Sequence, residues 1–215
     1  MIEAVVFDLD GVLLRSEEVW DAVRERYVRE RGGRYDEDVQ RAMMGMSAPE
    51  WSRFLHEEVH VPDDPDEINS EVVRRMLEAY RRELPLVAGA VAAVRRAAAA
   101  LPLALASSSN REVFEEVLEL AGITGCFRAT VSSEEVARGK PAPDVYLEAA
   151  RRLGAAPERC TAVEDSHAGI RSAKLAGMRV VAIPNAAYPP DEEALELADA
   201  VVRSLDDLTI EVLNG

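Results

Sequence analysis

Short apolar runs alternate with longer segments of helical spacing along most of this chain, and this alternation constrains the fold more than any other feature. Each run lies between polar turns, is too short for a helix and does not clearly alternate in polarity, as expected for strands buried on both faces. The runs are Ala4–Phe7, Leu101–Ala106, Ala129–Val131, Thr161–Val163 and Arg179–Ile183. The helical segments are Val87–Ala100, Arg111–Ala121, Pro143–Leu153 and Ser166–Ala176. This order predicts the α/β class, a doubly wound (Rossmann-like) parallel sheet with helices on both faces.

One long stretch between the first and second runs breaks this alternation. It has no convincing strand pattern, only charged amphipathic sequence such as Trp20–Arg31 and Ile68–Arg82. The Arg and Glu side chains mixed within Asp21–Arg31 predict a solvated helix face. The predicted domains are a core of residues 1–14 and 85–215 and an inserted all-helical domain of residues 15–84.

The chain is strongly acidic, with a formal net charge of −15 from 40 acidic and 25 basic side chains. Such a field repels phosphate backbones and anionic lipid heads, so nucleic acid and membrane surfaces are poor partners. A small phosphorylated ligand would need local positive charge within its site. The two cysteines, Cys126 and Cys160, are too few for a disulfide framework. With no membrane-spanning run and no signal-peptide pattern, the chain is predicted to be soluble and cytoplasmic. The sequence leaves the oligomeric state open, and a monomer is the default expectation.

Two carboxylates follow the first predicted strand in the sequence Asp8-Leu9-Asp10-Gly11. Side chains two residues apart in an extended segment project to the same side, so Asp8 and Asp10 should converge. The carboxyl edge of a parallel sheet is also where doubly wound folds bind ligands. An Asp-rich turn in which Gly11 supplies a positive φ explains this segment equally well when it is taken alone.

Three serines follow the next core strand, as Ser107-Ser108-Ser109. Ser109 and Glu112 fit a capping box, which places the loop at the start of a helix. Helix N-termini carry free N–H groups, and the hydroxyls of Ser107 and Ser108 add donors for a phosphate oxygen. In isolation, serines that serve only as helix caps are the better interpretation.

A lysine stands in a proline-rich context in Gly139-Lys140-Pro141-Ala142-Pro143. Pro143 suits the first turn of a helix, and the prolines hold Lys140 on a rigid loop. Lys140 is therefore a candidate for the local positive charge that an acidic protein needs to bind phosphate. The alternative is an ordinary surface lysine.

A further strand ends in carboxylates, in Val163-Glu164-Asp165-Ser166. With Asp8 and Asp10, these acids would complete an oxygen-rich site suited to Mg²⁺, a hard cation that prefers oxygen ligands. Read alone, Asp165 also fits a helix N-cap.

Together, the four motifs resemble the haloacid dehalogenase superfamily, and specifically its phosphatase and phosphomutase branch with a helical cap after the first strand. The motifs occur in the order typical of that branch, and the resemblance extends over nearly the whole chain. The matching stretches are residues 7–13, 106–109, 139–144 and 164–170, with Ile183-Pro184-Asn185 in addition.

The resemblance implies a Mg²⁺-dependent phosphatase that hydrolyses a small phosphorylated metabolite, such as a sugar phosphate, through an aspartyl-phosphate intermediate. It implies Asp8 as the nucleophile and Asp10 as the general acid and base, with the backbone carbonyl of Asp10 on the metal. The helical domain is expected to close over the site and choose the substrate. The implied metal ligands are Asp8, Asp10, Glu164 and Asp165, and the implied substrate-binding residues are Ser107, Ser108 and Lys140, the last also catalytic.

Other activities remain alternatives at this point. A sugar phosphomutase resembling beta-phosphoglucomutase is the first, although Trp20 and Ala48 stand where, or near where, such mutases carry a histidine and an arginine. A metal-independent dehalogenase disagrees with retention of Asp10 and Asp165. A non-catalytic binding protein on the same fold disagrees with the complete set of acids and Lys140. Arg15 replaces the acidic residue usual at the cap entry.

Overall fold

The computed structural model describes residues 1–43, 46–185 and 189–215. The strands are β1 (Ala4–Phe7), β2 (Leu103–Ser107), β3 (Phe127–Ser132), β4 (Cys160–Glu164), β5 (Arg179–Ala182) and β6 (Ala200–Val201). The helices are α1 (Glu17–Glu30), α2 (Glu37–Met43), α3 (Ala48–Glu57), α4 (Pro65–Arg82), α5 (Ala90–Ala98), α6 (Arg111–Leu120), α7 (Asp144–Leu153), α8 (His167–Leu175), α9 (Glu192–Leu197) and α10 (Ile210–Asn214). Short 3-10 helices lie at Thr124–Cys126, Ser133–Glu135 and Pro157–Arg159.

The strands form one sheet in the order β3-β2-β1-β4-β5-β6, and every neighbouring pair is parallel. The strand order reverses at β1, which pairs with β2 on one side and β4 on the other. Phe7 lies opposite Leu105 of β2 and Val163 of β4, so the carboxyl ends of these three strands lie side by side. In doubly wound sheets this reversal point is where a crevice opens for ligands. The predicted fold class is confirmed.

Alternate side chains of β1 enter two separate apolar layers. Val5 and Phe7 belong to the layer that also contains side chains of α5 and α6. Ala4 and Val6 belong to the layer built with α7 and α8. Because a strand projects successive side chains to opposite faces, an all-apolar strand is the sequence expected when helices cover both faces.

Four helices, α1 to α4, occupy the stretch between β1 and α5. No strand occurs in the described part of residues 15–84, as the sequence predicts. The two connections to the sheet run side by side, with an isolated bridge between Leu14 and Leu86 and a hydrogen bond from the Arg15 N–H to the Pro85 carbonyl (2.8 Å). The predicted boundaries fall at this crossing, and the division of the chain into two domains stays a prediction.

Local backbone geometry accounts for some differences from the predicted bounds. Helix α5 begins at Ala90 rather than at Val87 because Gly89 has a φ of 81°, outside the helical region. The two-residue strand β6 was not predicted, since it is too short to form a recognisable pattern. None of the helices in the described ranges combines the length and the apolar character needed to cross a membrane.

Candidate active site

Asp8 and Asp10 lie at the carboxyl end of β1 and line one cavity. Asp8 is buried (5% exposed), and its N–H donates to the Val163 carbonyl of β4 (3.0 Å). Asp10 turns towards the end of β2, where its Oδ2 accepts hydrogen bonds from Ser109 Oγ (2.7 Å) and Ser107 Oγ (3.2 Å). The two carboxylates therefore share an edge, as predicted, but bind different partners.

Lys140 is buried between acids from two strands. Its Nζ donates to Asp8 Oδ1 (2.5 Å), Glu164 Oε1 (2.6 Å) and the Ala106 carbonyl (3.1 Å). Burial alone would lower the pKa of the ammonium group, but the charges of Asp8 and Glu164 outweigh burial and raise it. Lys140 is therefore a fixed positive charge in the site, and the surface-lysine alternative is wrong.

Glu164 is fully buried, and both of its carboxylate oxygens accept hydrogen bonds. Oε1 accepts from Lys140 Nζ and from Tyr146 Oη (2.6 Å). Oε2 accepts from the N–H groups of Asp165 (3.0 Å) and Ser166 (3.3 Å), and from Ser166 Oγ (3.2 Å). A Cβ at Gly169 would overlap this carboxylate, so the glycine makes room for it. Glu164 is held rigidly as the partner of Lys140.

Asp165 is buried next to Glu164, but its carboxylate does not have the full set of hydrogen bonds that Glu164 has. Asp165 Oδ1 is buried and has no hydrogen-bond partner among the residues that the structure describes, and its Oδ2 packs where a Cβ of Gly11 would stand. The N-cap of α8 is Ser166, whose Oγ accepts from the Gly169 N–H (3.1 Å). The alternative of Asp165 as the N-cap is therefore wrong, and its carboxylate is available to a ligand.

The acids form a group that fits a metal ion. Asp8, Glu164 and Asp165 each offer a carboxylate oxygen, and these atoms lie within 4.8 Å of one another. Burial raises the pKa values of Asp8 and Asp165, and the charge of Glu164 raises both further, whereas Lys140 lowers them. Three close carboxylates exceed the charge of one lysine, and an unpartnered buried oxygen is costly. A hard divalent cation such as Mg²⁺ would resolve both problems.

The serine loop differs in part from the prediction. Ser107 is fully buried, donates to Asp10 and accepts from the Ser109 N–H (3.0 Å), whereas Ser108 lines the cavity. The predicted capping box is wrong, because α6 begins after Asn110 and Ser109 Oγ donates to Asp10 instead. As an N-cap, Ser109 Oγ would accept from a backbone N–H; here the pairing of β1 with β2 brings the Asp10 carboxylate within reach, and the hydroxyl donates to it. The sequence carried no signal for this contact.

The cavity measures about 560 Å³ and lies between the sheet edge and the helices α1 to α3. We call its two sides the sheet wall and the helical wall. The sheet wall includes Asp8, Asp10, Ser108, Ser109, Lys140 and Asp165, and the helical wall includes Glu17, Trp20, Arg24, Met43 and Trp51. Further lining residues follow β4 and β5, among them His167 and Asp191. The predicted site residues Ser107 and Glu164 lie behind the sheet wall, bonded to Asp10 and Lys140 respectively.

A helical domain over the site was expected from the resemblance, but Glu17, Arg24 and Trp51 were not predicted as residues of its wall. Arg24 falls in the segment predicted to be a solvated face, and this is wrong for Arg24, which lines the cavity. Its guanidinium carbon lies 4.7 Å from the ring centroid of Trp20 and 4.8 Å from that of Trp51. Glu17, Trp20 and Arg24 follow one another at spacings of three and four, so they share one face of α1. A tryptophan on an otherwise charged helix was the available signal.

Comparison with known proteins places this geometry in a family. The family model for haloacid dehalogenase-like hydrolases matches residues 2–177. Hexitol phosphatase B of Escherichia coli (strain K12) is 32% identical over 221 residues, covering 100% of this chain and 97% of that protein. The bifunctional riboflavin kinase/FMN phosphatase of Arabidopsis thaliana is 33% identical over 209 residues; they cover 96% of this chain but only 54% of that protein. The crystal structure of CbbY from Rhodobacter sphaeroides in complex with phosphate has a TM-score of 0.86 at 28% identity, with 100% of both chains covered.

The acids and the lysine of the site all lie within the residues that the family model matches. The predicted resemblance is thus confirmed by a match that is independent of the site geometry. This chain belongs to the haloacid dehalogenase-like hydrolase family.

Proposed function

We propose that this protein is a Mg²⁺-dependent phosphatase that hydrolyses a small phosphorylated metabolite, a sugar phosphate or a similar phosphomonoester, through an aspartyl-phosphate on Asp8. The observation that carries the proposal is the sheet wall itself. Lys140 bridges Asp8 and Glu164 at 2.5 and 2.6 Å, at the floor of the cavity. Next to them is Oδ1 of Asp165, which has no hydrogen-bond partner within residues 1–43, 46–185 and 189–215. Similarity to hexitol phosphatase B, and to about half of a bifunctional riboflavin kinase/FMN phosphatase, supports this activity.

In the first step, an Asp8 carboxylate oxygen attacks phosphorus and the bond to the leaving oxygen breaks. The transferring group is an anion in an acidic protein, so it needs compensating charge at the point of reaction. Lys140 supplies one charge, and Ser108 on the cavity surface supplies a hydroxyl donor. Asp8, Asp165 and the backbone carbonyl of Asp10 would hold Mg²⁺. Glu164, the other predicted ligand, already accepts hydrogen bonds at both oxygens and would serve as the partner of Lys140 next to the metal. When bound, Mg²⁺ withdraws charge from the phosphoryl oxygens.

Asp10 transfers the proton in both steps. It protonates the leaving alkoxide oxygen first, and then accepts a proton from the water that attacks the aspartyl-phosphate, which releases phosphate and restores Asp8. Ser107 and Ser109 both donate to Oδ2 of Asp10, while Oδ1 is buried and no donor in the described part of the chain reaches it. These bonds fix the carboxylate and leave one oxygen for the proton.

The mutase alternative is disfavoured by the helical wall. Trp20, in the position where mutases of this branch carry a histidine, lines the cavity and has no acid or base to offer. Ala48, near the mutase arginine position, is an apolar residue at the start of α3. A mutase must protect its aspartyl-phosphate from water while the intermediate reorients within the site. Neither Trp20 nor Ala48 assists this.

The experiment measures inorganic phosphate against total substrate consumed, for p-nitrophenyl phosphate and a panel of sugar phosphates. We expect one phosphate per substrate consumed, loss of turnover in EDTA and recovery when Mg²⁺ is restored. Isomerised sugar phosphate in excess over free phosphate would favour the mutase. Absence of turnover for every phosphomonoester would refute both activities.

A further inference from the structure

Arg24 is a cation on the cavity surface that forms no hydrogen bond or ion pair with any described residue. Its Nε is buried, and no acceptor in the described part of the chain reaches it. Eight other arginines of residues 15–84 form ion pairs with carboxylates. A buried guanidinium donor without an acceptor costs free energy, so a partner from outside the protein is the simplest reason for its placement.

Two indole rings hold Arg24 in this position. Trp20 lies one turn before it on α1, and Trp51 approaches from α3, with ring centroids 4.7 and 4.8 Å from the guanidinium carbon. Cation–π contacts stabilise the charge but provide no oxygen acceptor for the N–H donors. Trp20 and Trp51 are themselves buried, at 5% and 2% exposure, and their ring centroids lie 6.2 Å apart. The guanidinium is therefore held by packing and remains free to bind an oxyanion.

The surrounding charges limit what the partner can be. Burial lowers the pKa of Arg24 below its usual value. The nearby groups Tyr35, Glu17, Asp10 and Asp21 oppose this shift but do not outweigh it. Glu17 is on the same helix face, yet no hydrogen bond or ion pair joins it to Arg24 among the described residues. An exchangeable anion that enters the cavity with the substrate would satisfy the donors of Arg24. A neutral hydroxyl would not neutralise its charge.

We propose that Arg24 is a specificity-determining residue that binds a second anionic group of the substrate, a carboxylate or a second phosphate, while the first phosphate lies at Asp8. The inference rests on the proposed phosphatase activity and specifies its substrate class: phosphomonoesters that carry a further anion. Arg24 touches neither the phosphorus nor the attacking oxygen in this scheme. It selects the substrate through the end of the molecule that does not react.

The test uses binding rather than turnover, so that it stands apart from the catalytic mechanism. The chain has two tryptophans, and both contact Arg24, so intrinsic fluorescence reports directly on this position. The Asp8→Asn protein, with Mg²⁺, is titrated with matched ligands of three to six carbons: a polyol or sugar phosphate, the corresponding phosphorylated acid and the corresponding bisphosphate. The same titrations are repeated with the Asp8→Asn protein that also carries Arg24→Gln. The control carries Arg26→Gln instead, because Arg26 lies on the exposed side of α1 and pairs with Glu30.

We expect at least one phosphorylated acid or bisphosphate to bind roughly tenfold or more tightly than its neutral match, with a change in tryptophan emission. Arg24→Gln should abolish this preference and Arg26→Gln should keep it. The comparison of acid with bisphosphate identifies the anion. Equal affinity within every matched set, or a preference that survives Arg24→Gln, overturns the inference. Hydrolysis of p-nitrophenyl phosphate, which has no second anion, separately tests the phosphatase activity.

Discussion

The cation of the sheet wall, Lys140, is paired with Asp8 and with Glu164 behind the wall. The cation of the helical wall, Arg24, has no such acceptor among the described residues. Lys140 has three acceptors within 3.1 Å, and Glu164 accepts from Lys140, Tyr146, Ser166 and the Asp165 N–H. Arg24 has two aromatic rings and no acceptor for its Nε among the described residues. The cation of the sheet wall is fully paired and so is preorganised for one reaction, while Oδ1 of Asp10 and of Asp165 has no partner among the described residues and is left for a proton and a metal ion. A wall that is incomplete without a ligand can discriminate between ligands.

The largest expected effect follows removal of the nucleophile from the sheet wall. Asp8→Asn keeps the shape of the side chain but cannot form the aspartyl-phosphate, so turnover should fall by on the order of 10⁴ or more. Phosphate binding should be largely retained because Lys140 remains. Rapid-quench assays of phosphate release give the rate, with Asp38→Asn, an exposed carboxylate of α2, as control. Substantial residual turnover in pure Asp8→Asn protein would disprove the assigned role.

Replacing the buried cation tests whether the sheet wall depends on its internal pairing. Lys140→Ala should lower kcat/KM by roughly 10²- to 10³-fold through lost charge compensation. It also leaves Asp8 and Glu164 buried without their cation, which should lower the free energy of unfolding in EDTA by about 3–5 kcal/mol. Urea denaturation measures this loss.

Lys174 provides the matched control for Lys140. It pairs with Asp199 at 2.9 Å, but both side chains are about one-third exposed. Lys174→Ala should therefore cost less than about 1 kcal/mol and leave kcat/KM unchanged. Similar losses for the two variants would mean that Lys140 contributes no more than a surface pair.

Gly169 tests the packing behind the sheet wall without changing any charge. Alanine normally stabilises a helix relative to glycine, but here its methyl group would overlap the Glu164 carboxylate. Gly169→Ala should destabilise the fold by about 1–3 kcal/mol and lower kcat/KM roughly tenfold, because Glu164 must move away from Lys140. In Gly125→Ala, the added methyl group meets nothing within 4 Å, so thermal unfolding should be almost unchanged. Equal melting temperatures for Gly169→Ala and the wild type would contradict the packing argument.

The smallest effect is expected on the helical wall. Trp20→Phe keeps an aromatic ring beside Arg24 but weakens the cation–π contact. The affinity for the anionic ligands should therefore fall by about two- to fivefold. Turnover of p-nitrophenyl phosphate should change by less than about threefold, since that substrate reacts at the sheet wall. A loss as large as that for Lys140→Ala would remove the distinction between the walls.

Much of the sheet wall was predictable because its residues lie at the ends of recognisable strands. Asp8 and Glu164-Asp165 end β1 and β4, and neighbouring parallel strands bring their carboxyl ends together without further information. Lys140 was predicted from its proline-rich context and from the positive charge that an acidic chain needs for phosphate. The strands themselves were visible because sequences buried on both faces are apolar throughout.

The partners of these groups were not predictable to the same degree. The sequence by itself determined the α/β class, the helical insertion and the identity of the acids and the lysine. Only the tertiary structure decided that Ser109 binds Asp10 rather than capping α6, and that Arg24 faces a cavity rather than solvent. The physical reason is that periodicity tells which residues share a face of a helix, whereas what covers that face depends on contacts between segments far apart in the chain. The helices must pack over the sheet edge before these segments meet: Trp20 of α1, Trp51 of α3 and the ends of β1 and β2.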